Sequence, residues 1–334
     1  ASIQKVVEEV ILKIVKKIKL DYKIDNLCLS GGVALNCVAN SKILREKLFE
    51  KIWVQPASGD AGGALGAAMS VYYLMKNKER SVESGKDKMN GSLLGPQFTS
   101  EDIVGQLKSL NATYLEMKNN NIIDEVAKYL SAGKAVGWMS GRSEFGPRSL
   151  GNRSILANPL IKDMQKNLNL KIKYRESFRP FAPSVLKEFK DDWFDIKEES
   201  PYMLFISDIK KDKLIEIDEK QKNLSGFEKL NIVRSKIPAV THVDNTARLQ
   251  TVDKNINPVF HKLISKFYEL SSCPLLVNTS FNIRGEPIVS SPKDAYKCFM
   301  GTELDVLVIE NYLLIKNQQP ERNKIQYKKD FDLD

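Results

Sequence analysis

The sequence predicts an α/β protein, because short apolar runs alternate with helical spacing of apolar residues along most of the chain. Residues 26–48 and then residues 51–75 each show an apolar run, a glycine-bearing turn and a helical pattern. Residues 122–134 predict an amphipathic helix, and the apolar runs at 135–141 and 274–281 are typical of buried strands. Because open α/β sheets bind ligands at strand ends, we expect functional residues to follow these runs.

The chain opens with a helical pattern. Apolar residues at helical spacing begin at Ile3 and continue to Ile18, so we expect a helix from the first residues. We interpret the chain as a fragment that lacks an upstream part. The two glycine-bearing turns, at 30–32 and 58–63, have two interpretations. They bring backbone N–H groups to a phosphate at a helix N-terminus, or they allow close helix packing.

The length of 334 residues leaves room for two domains. Residues 79–96 are polar and aperiodic, so they are predicted to be a linker between a first module at 1–78 and a second at 97–320. Residues 321–334 are interpreted as a tail. The stretch 210–230 is rich in lysine and glutamate and is expected to be a solvated insertion.

The composition narrows the class of protein. The 51 Lys+Arg exceed the 42 Asp+Glu and give a net charge of +9, which attracts polyanions in general. Much of the excess is scattered lysine, so we expect phosphorylated small molecules rather than nucleic acid as partners. The four cysteines form no C-x-x-C pair, and with two histidines they indicate neither a zinc site nor a disulfide framework. We expect a cytoplasmic protein without membrane partners, and an oligomer is compatible with the sequence.

Three arginine-bearing motifs carry the strongest chemical signal. They are FGPRSLGNRS at 145–154, KYRESFRPFAP at 173–183 and NTSFNIRGEPIV at 278–289. Arginines framed by glycine, proline and asparagine suit a loop pocket that binds a multiply charged anion by two-pronged contacts. The alternative is solvated surface arginine, which does not require this framing. We therefore predict a phosphate-binding site.

Six ordered motifs together resemble the O-carbamoyltransferase family, whose members modify nodulation factors, cephamycins and aminoglycosides. Besides the three arginine motifs they are SGGVALN at 30–36, the P-x-x-x-D-A-G-x-ALGAA pattern at 56–68, and AVTHVDNTARLQTV at 239–252. The resemblance extends over nearly the whole chain. It implies that 97–320 is similar to the threonylcarbamoyl-adenylate synthases, an α/β domain with a twisted open sheet. It also implies that 1–78 is the closing part of an actin-like ATPase lobe that transfers the carbamoyl group.

The family resemblance implies carbamoyl phosphate and ATP with Mg²⁺ as ligands, and a hydroxyl-bearing acceptor. Holding two polyanions together needs several fixed cations, so we assign a catalytic role to matched cations of the motifs. These are Lys173, Arg148, Arg179, Arg248 and Arg284. Further binding residues are assigned from the same motifs: Ser149, Arg153, His242, Asn278, Ser280, Asn282, Gly31, Gly32 and Asn36. Arg175, next to Glu176, is expected to form a structural ion pair instead.

Two residues keep alternative interpretations. His242 is either a donor to a ligand oxygen or a histidine bonded within its turn to Asp244. Asp60 is either a helix N-cap or the remaining ligand of the family's transfer-site metal, an iron or another divalent or trivalent ion. That metal site uses a histidine pair four residues apart, which neither His242 nor His261 provides, so the resemblance places the pair upstream of Ala1.

Two other function classes stay open at this point. One is a nucleic-acid-binding module, which stacking aromatics interleaved with a basic stripe would favour. The other is a regulatory fragment that binds nucleotide without turnover. The clustering of arginines among glycines and prolines favours the enzyme.

Overall fold

A computed structural model describes residues 2–83, 87–118 and 120–321, together with Tyr327 and Phe331. Residues 84–86 of the predicted linker and most of the predicted tail lie outside the described residues. The helices are α1 (Ser2–Tyr22), α2 (Cys37–Arg45), α3 (Asp60–Ser70), α4 (Ser100–Ser109), α5 (Asn120–Ser131), α6 (Met164–Asn167), α7 (Lys190–Trp193), α8 (Glu219–Lys222), α9 (Gly226–Leu230), α10 (Pro258–Ser271) and α11 (Pro292–Gly301).

The strands alternate with these helices. They are β1 (Asn26–Leu29), β2 (Lys51–Val54), β3 (Leu115–Glu116), β4 (Val136–Met139), β5 (Arg153–Ala157), β6 (Ala182–Leu186), β7 (Phe205–Asp208), β8 (Thr246–Val252), β9 (Leu275–Ser280), β10 (Val306–Ile309) and β11 (Tyr312–Ile315). The expected α/β class is confirmed, and the expected helix at the chain start is α1. The predicted helix at 33–48 is interrupted, since a 3₁₀ turn at Gly32–Leu35 precedes α2.

A nine-stranded mixed sheet forms the centre of the fold, in the order β3-β11-β10-β4-β5-β9-β6-β8-β7. The pairs β10–β4 and β6–β8 are parallel, and the other pairs are antiparallel. All residues of β4, β5, β6 and β10 are buried. Helix α10 packs against α5, β6 and β9, so helices cover a sheet whose middle strands are apolar.

The first module is built on a separate parallel pair, β1 and β2. Val15, Leu27, Ile43 and Phe49 form its small core. Helix α2 then covers the edge strand β7 of the large sheet: the backbone N–H of Ile206 donates to the Ser41 hydroxyl at 2.7 Å. This contact satisfies an edge-strand donor that would otherwise be open to another chain. The actin-like assignment of 1–78 stays a prediction.

The second half of the predicted linker packs against the first arginine motif. The Ser92 hydroxyl donates to the carbonyl of Phe145, whose N–H donates back to the Ser92 carbonyl at 2.6 Å. The N–H of Gly95 donates to Ser143 at 2.9 Å, and Met89 is buried. Residues 89–96 therefore support that motif, while the domain boundary itself stays a prediction.

None of the described helices has the length and apolar composition needed to cross a bilayer.

Gly151, in the loop between β4 and β5, lies against the ring of Phe260 on α10. Its φ of +110° is one that side chains rarely adopt, and an added Cβ would lie 2.2 Å from that ring. We expect Gly151→Ala to lower the free energy of unfolding by about 2–4 kcal/mol, through strain and overpacking. Urea denaturation measures this. Gly105→Ala in α4, where nothing lies within 4 Å of the new Cβ, should instead raise stability by about 0.5–1 kcal/mol. Equal effects at the two positions would contradict the packing argument.

Candidate anion-binding site

Four arginine side chains converge on one cavity of about 240 Å³. They are Arg148, Arg175, Arg179 and Arg248. Among the described residues no carboxylate lines this cavity; the rest of the lining is Pro147, Ser149, Pro180, Phe181, Ala182, Met203, Asn278, Thr279 and Ser280. Four other cavities, of 270–700 Å³, have no arginine in the described lining. The charge pattern therefore singles out an anion site.

The floor of the cavity is formed by three neighbouring strands, β9, β6 and β8. Asn278 pairs with Ala182 across β9 and β6, and Ser184 pairs with Gln250 across β6 and β8. Since Arg248 precedes Gln250 by two residues, it lies on the same face of β8 as Gln250. The register of the sheet thus brings Arg248 close to Ala182 and Asn278, which line the same cavity.

A polar network beneath the floor links the strands to the first arginine loop. The Asn278 amide donates to the Ser184 hydroxyl at 2.9 Å and to Gln250 Oε1 at 3.1 Å, and Gln250 Nε2 donates to the Leu150 carbonyl at 2.8 Å. The Ser149 hydroxyl and the Asn278 amide oxygen are buried without a partner in the described part of the chain. Both belong to cavity-lining residues, so a bound ligand can supply the missing hydrogen bonds.

The first arginine loop is folded around the Glu144 carboxylate. Its Oε1 accepts hydrogen bonds from the N–H groups of Leu150 at 2.6 Å and Asn152 at 2.8 Å. Burial raises the pKa of Glu144, and the backbone donors act in the opposite direction. The loop also approaches the first module: an added Cβ at Gly146, whose φ is +137°, would lie 2.9 Å from the Pro56 carbonyl. Glycine is required there, and the loop brings Arg148 to the cavity.

The second arginine loop holds Arg175 and Arg179 by different contacts. Arg175 Nε donates to Asn169 Oδ1 at 2.7 Å, and its guanidinium lies 5.0 Å from the centre of the Phe181 ring. Glu176 pairs with Arg179 at 3.0 Å and with Arg284 at 3.3 Å. The expected Arg175–Glu176 structural pair is therefore wrong, because the carboxylate faces the other two arginines and Arg175 faces the cavity.

Burial lowers the pKa of three arginines that line the cavity, and neighbouring positive charge lowers it further at two of them. Burial, with the charge of Arg148, lowers the pKa of Arg248 to about 10. Burial, with the charge of Arg179, lowers the pKa of Arg175 to about 10, and burial also lowers the pKa of Arg148. All three stay charged near neutral pH. The Nε of Arg148 is buried and has no hydrogen-bond partner among the described residues, so a donor is available to a ligand.

Lys173 lies behind the cavity wall rather than in it. Its ammonium donates to the backbone carbonyls of Ser280 at 2.8 Å and Asn282 at 2.7 Å, and to Asn282 Oδ1 at 2.6 Å. Ser280 is the lining residue of this group. Burial and the charge of Arg175 lower the pKa of Lys173 to about 7. Lys173 therefore orders the end of β9, and its charge titrates near neutral pH.

Two predicted arginines have contacts away from the cavity. Arg153, 1% exposed, donates to the carbonyls of Gly141 at 3.1 Å and Asn152 at 2.8 Å. Arg284 pairs with Glu176, and its N–H donates to the Lys173 carbonyl at 3.0 Å. The structure thus places both arginines in the supporting layer, because each guanidinium has acceptors from its own surroundings.

The remaining predicted residues also lie outside the cavity lining. His242 Nδ1 is 3.1 Å from the Thr246 hydroxyl, which donates to Asp244 at 2.7 Å, and burial lowers the pKa of His242. Asn36 caps α2 by accepting from the Ala39 N–H at 3.1 Å. Gly31 and Gly32 lie in the turn before it, with φ +96° at Gly31.

Asp60 is the first residue of α3 and is exposed. No cluster of three or more metal-ligand side chains occurs among the residues that the structure describes.

Sequence reasoning placed Arg148, Arg179, Arg248, Ser149, Asn278 and Ser280 in the site, and these six line the cavity. It missed Arg175, although the KYRESF motif contains it two residues after Lys173. It also missed Glu144, for which the glycines at 146 and 151 were the available signal, since a tight loop needs an acceptor for its backbone donors. Gln250 carried no signal beyond its position in a strand.

The arginine cavity should bind inorganic pyrophosphate. We expect Arg148→Ala and Arg248→Ala each to weaken this binding by roughly 2–4 kcal/mol, the scale for removing one partner of a desolvated charge pair. Arg175→Ala should have a similar effect, because this side chain lines the cavity. Isothermal titration calorimetry measures the affinity. Arg45→Ala is the matched control, since Arg45 pairs with Asp208 on the surface. If all four substitutions weaken binding equally, the cavity arginines contribute no more than ordinary surface charges, and the anion-site interpretation is wrong.

The pKa of Lys173 predicts a pH dependence of anion binding. As the pH rises through about 7, the ammonium loses its proton and a positive charge behind the cavity disappears. Affinity for sulfate, which stays a dianion throughout, should therefore fall several-fold between pH 6 and pH 8.5. Lys173→Met should remove this step, because no charge is left to titrate. If sulfate affinity falls equally with pH in that variant, another group causes the pH dependence.

The comparisons with known proteins agree on one family. The model described as Carbamoyltransferase C-terminus matches residues 127–316, and the model described as Carbamoyltransferase N-terminus matches residues 1–69. An uncharacterized protein of Synechocystis sp. is 51% identical over 337 residues, covering 100% of this chain and 55% of that protein. Nodulation protein NolNO of Sinorhizobium fredii is 39% identical over 320 residues, covering 95% of this chain and 43% of that protein.

The chain spans about half the length of these curated relatives. Among solved structures, full-length HypF in the phosphate- and nucleotide-bound form superposes with a TM-score of 0.37 and 16% identity, covering 59% of this chain and 22% of that one. The C-terminal family model alone matches more than half of the sequence. The chain belongs to the carbamoyltransferase family.

Proposed function

We propose that this chain forms carbamoyl adenylate from carbamoyl phosphate and ATP, the activating step that precedes transfer of the carbamoyl group to a hydroxyl. The observation that carries the proposal is the convergence of four arginines on one cavity without a lining carboxylate among the described residues. Family membership supplies the carbamoyl chemistry. Four positive charges without a described carboxylate in the lining suit the negative charge of two phosphorylated ligands.

The cavity volume suits phosphate groups rather than a whole nucleotide. At about 240 Å³ it is below the roughly 300–1,000 Å³ of sites that enclose drug-sized ligands. Carbamoyl phosphate carries about two negative charges and ATP about four, and their repulsion must be offset before bonds change. Four guanidiniums held in place offset it without reorganisation during the reaction. The nucleoside would then lie outside the cavity mouth.

The proposed reaction balances with one water molecule. Water cleaves carbamoyl phosphate to carbamate and phosphate, and a carbamate oxygen then attacks the α-phosphorus of ATP. The bond from the α-phosphorus to the bridging oxygen breaks, and pyrophosphate leaves with the electron pair. One phosphate and one pyrophosphate are released for each carbamoyl adenylate. No side-chain nucleophile is needed, so positioning and charge neutralisation account for the contribution of the protein.

The position of each residue in the cavity suggests its role in the proposed reaction. Arg148, on its loop, and Arg248, on β8, face Arg175 and Arg179 of the second loop across the same cavity. We assign the four to the transferring phosphates, where two-pronged contacts orient the attack. The Ser149 hydroxyl and the Asn278 amide oxygen are assigned to polar atoms of the carbamoyl group. Lys173 fixes Ser280 at the cavity wall.

No group of three or more metal-ligand side chains for the metals that the family implies occurs in the part of the chain that the structure describes. Since no described carboxylate lines the cavity, Mg²⁺ would be carried by the phosphates of the nucleotide. For the transfer step, Asp60 is a single exposed carboxylate, and one carboxylate does not hold a transition metal tightly. We therefore propose that transfer to a hydroxyl-bearing acceptor needs more ligands than the described residues provide, and we derive no step through a metal.

The purified chain should release pyrophosphate from ATP only when carbamoyl phosphate is present, without any acceptor. Equal amounts of phosphate and pyrophosphate are expected, and Arg148→Ala should slow the release at least about 100-fold, the cost of one lost charged contact in the transition state. Arg45→Ala should leave the rate unchanged.

Release of pyrophosphate without carbamoyl phosphate would overturn the proposal. Binding of both ligands with no turnover would favour the nucleotide-binding regulatory fragment instead.

A further inference from the structure

Glu286 closes the loop that follows β9. It is 8% exposed, and its Oε2 accepts a hydrogen bond from the N–H of Ile283 at 2.8 Å. Its backbone carbonyl accepts from Asn282 Nδ2 at 2.5 Å. Gly285, with φ +77°, allows the chain to turn back between these contacts. One carboxylate oxygen thus fixes the loop, and the other is left for a second partner.

That second partner is Tyr327, from the far end of the chain. Its hydroxyl donates to Glu286 Oε1, and its ring is 5% exposed. The ring sits against Gly301 at the end of α11, where an added Cβ would lie 2.1 Å from the Tyr327 Cβ. Phe331 packs edge-on against the ring at 5.2 Å between centres. The residue is therefore seated by packing as well as by its hydroxyl.

The loop closed by Glu286 connects directly to the cavity wall. Asn282, which donates to Glu286, accepts from Lys173 Nζ at 2.6 Å and from the Ser280 hydroxyl at 2.6 Å through its Oδ1. Ser280 lines the arginine cavity. A continuous series of hydrogen bonds therefore runs from Tyr327 through Glu286 and Asn282 to the site.

We propose that Tyr327 is a positioning residue of the anion site, which acts through Glu286 to hold the 281–286 loop and the end of β9 in their binding geometry. This rests on the proposed function only in that the positioned site is the one assigned to carbamoyl activation. The hydroxyl is the acting group. Removing it leaves the ring packing intact but deprives Glu286 Oε1 of the Tyr327 donor, so among the described residues the carboxylate keeps only its contacts with the Ile283 N–H and the Cys298 thiol. The loss of a buried hydrogen bond destabilises its surroundings.

The test compares Tyr327→Phe with the wild type in the full chain. We expect hydrogen exchange of the 281–289 segment, measured by mass spectrometry, to rise at least about fivefold, the scale of one lost buried hydrogen bond. The Kd for ATP, and the KM for ATP in carbamoyl-phosphate-dependent pyrophosphate release, should rise together by about fivefold or more. A purely structural role would lower the active fraction, and hence kcat, with KM and Kd unchanged.

Tyr296→Phe is the matched control. The Tyr296 hydroxyl is also buried and donates to Gln319 Oε1 at 3.1 Å. This variant loses a buried tyrosine hydroxyl in the same domain without touching the 281–286 loop. Exchange of the 281–289 segment and the Kd for ATP should stay at the wild-type values.

A double variant decides whether Tyr327 acts through Glu286. If it does, Tyr327→Phe added to Glu286→Gln should change exchange and Kd by less than it does alone. Full additivity, or wild-type exchange and Kd in Tyr327→Phe, would overturn the proposal. The exchange and ATP-binding readouts do not require turnover. A wild-type chain that binds ATP but releases no pyrophosphate would therefore refute the proposed function and leave the positioning role to be judged by these two measurements.

Discussion

Repulsion between four arginine charges in one cavity is the constraint on which the site depends. Burial lowers the pKa of Arg248, and the charges of Arg148 and Arg175 lower it further. Without fixed supports, these side chains would move apart into solvent. The described lining contains no carboxylate, and Glu176, which lies outside it, pairs with Arg179. The loops and strands that carry these arginines must therefore be held in place by contacts outside the cavity.

The supports are backbone-directed and lie outside the cavity. Glu144 accepts hydrogen bonds from the N–H groups of the first loop, and Asn169 Nδ2 donates to the carbonyls of Ser177 and Arg179 in the second loop. Gln250 ties the first loop to the sheet floor by donating to the Leu150 carbonyl. Such buried polar groups stabilise one geometry only when they are satisfied, so the loops have a single well-defined arrangement. Arginines in that arrangement face a ligand without reorganisation.

The sequence predicted the parts of this site whose residue types are chemically unusual for their context. Arg148 and Arg179 stand among glycines and prolines, and that framing indicates a loop site without any tertiary information. The roles of Arg175 and Arg284 could not be distinguished in this way. Which of them faces the cavity depends on where Glu176 lies after folding, and that carboxylate meets Arg179 and Arg284. Adjacency in sequence favoured the wrong partner.

The same limit applies to the fold. Helix α1 and the buried strands follow from the sequence pattern, because apolar residues at helical spacing predict a helix and short apolar runs predict strands buried on both faces, as β4 is. The sequence does not predict the packing of residues 89–96 against the first arginine loop. This packing consists mainly of backbone hydrogen bonds, which residues of any type can make, so it leaves no pattern in a polar, glycine-bearing segment.

Binding of an anion in the cavity is thermodynamically linked to the stability of the folded chain. A ligand that neutralises the arginines removes the repulsion that the supports must resist, and by linkage it stabilises the folded chain by an amount that grows with the logarithm of its affinity. Burial lowers the pKa of Arg148, Arg175 and Arg248, which is the direction expected for cations held away from water. A ligand with more negative charges offsets more of the repulsion among them. We therefore expect the site to favour polyanions over single anions, which is the selectivity that the proposed joining of two phosphorylated substrates requires.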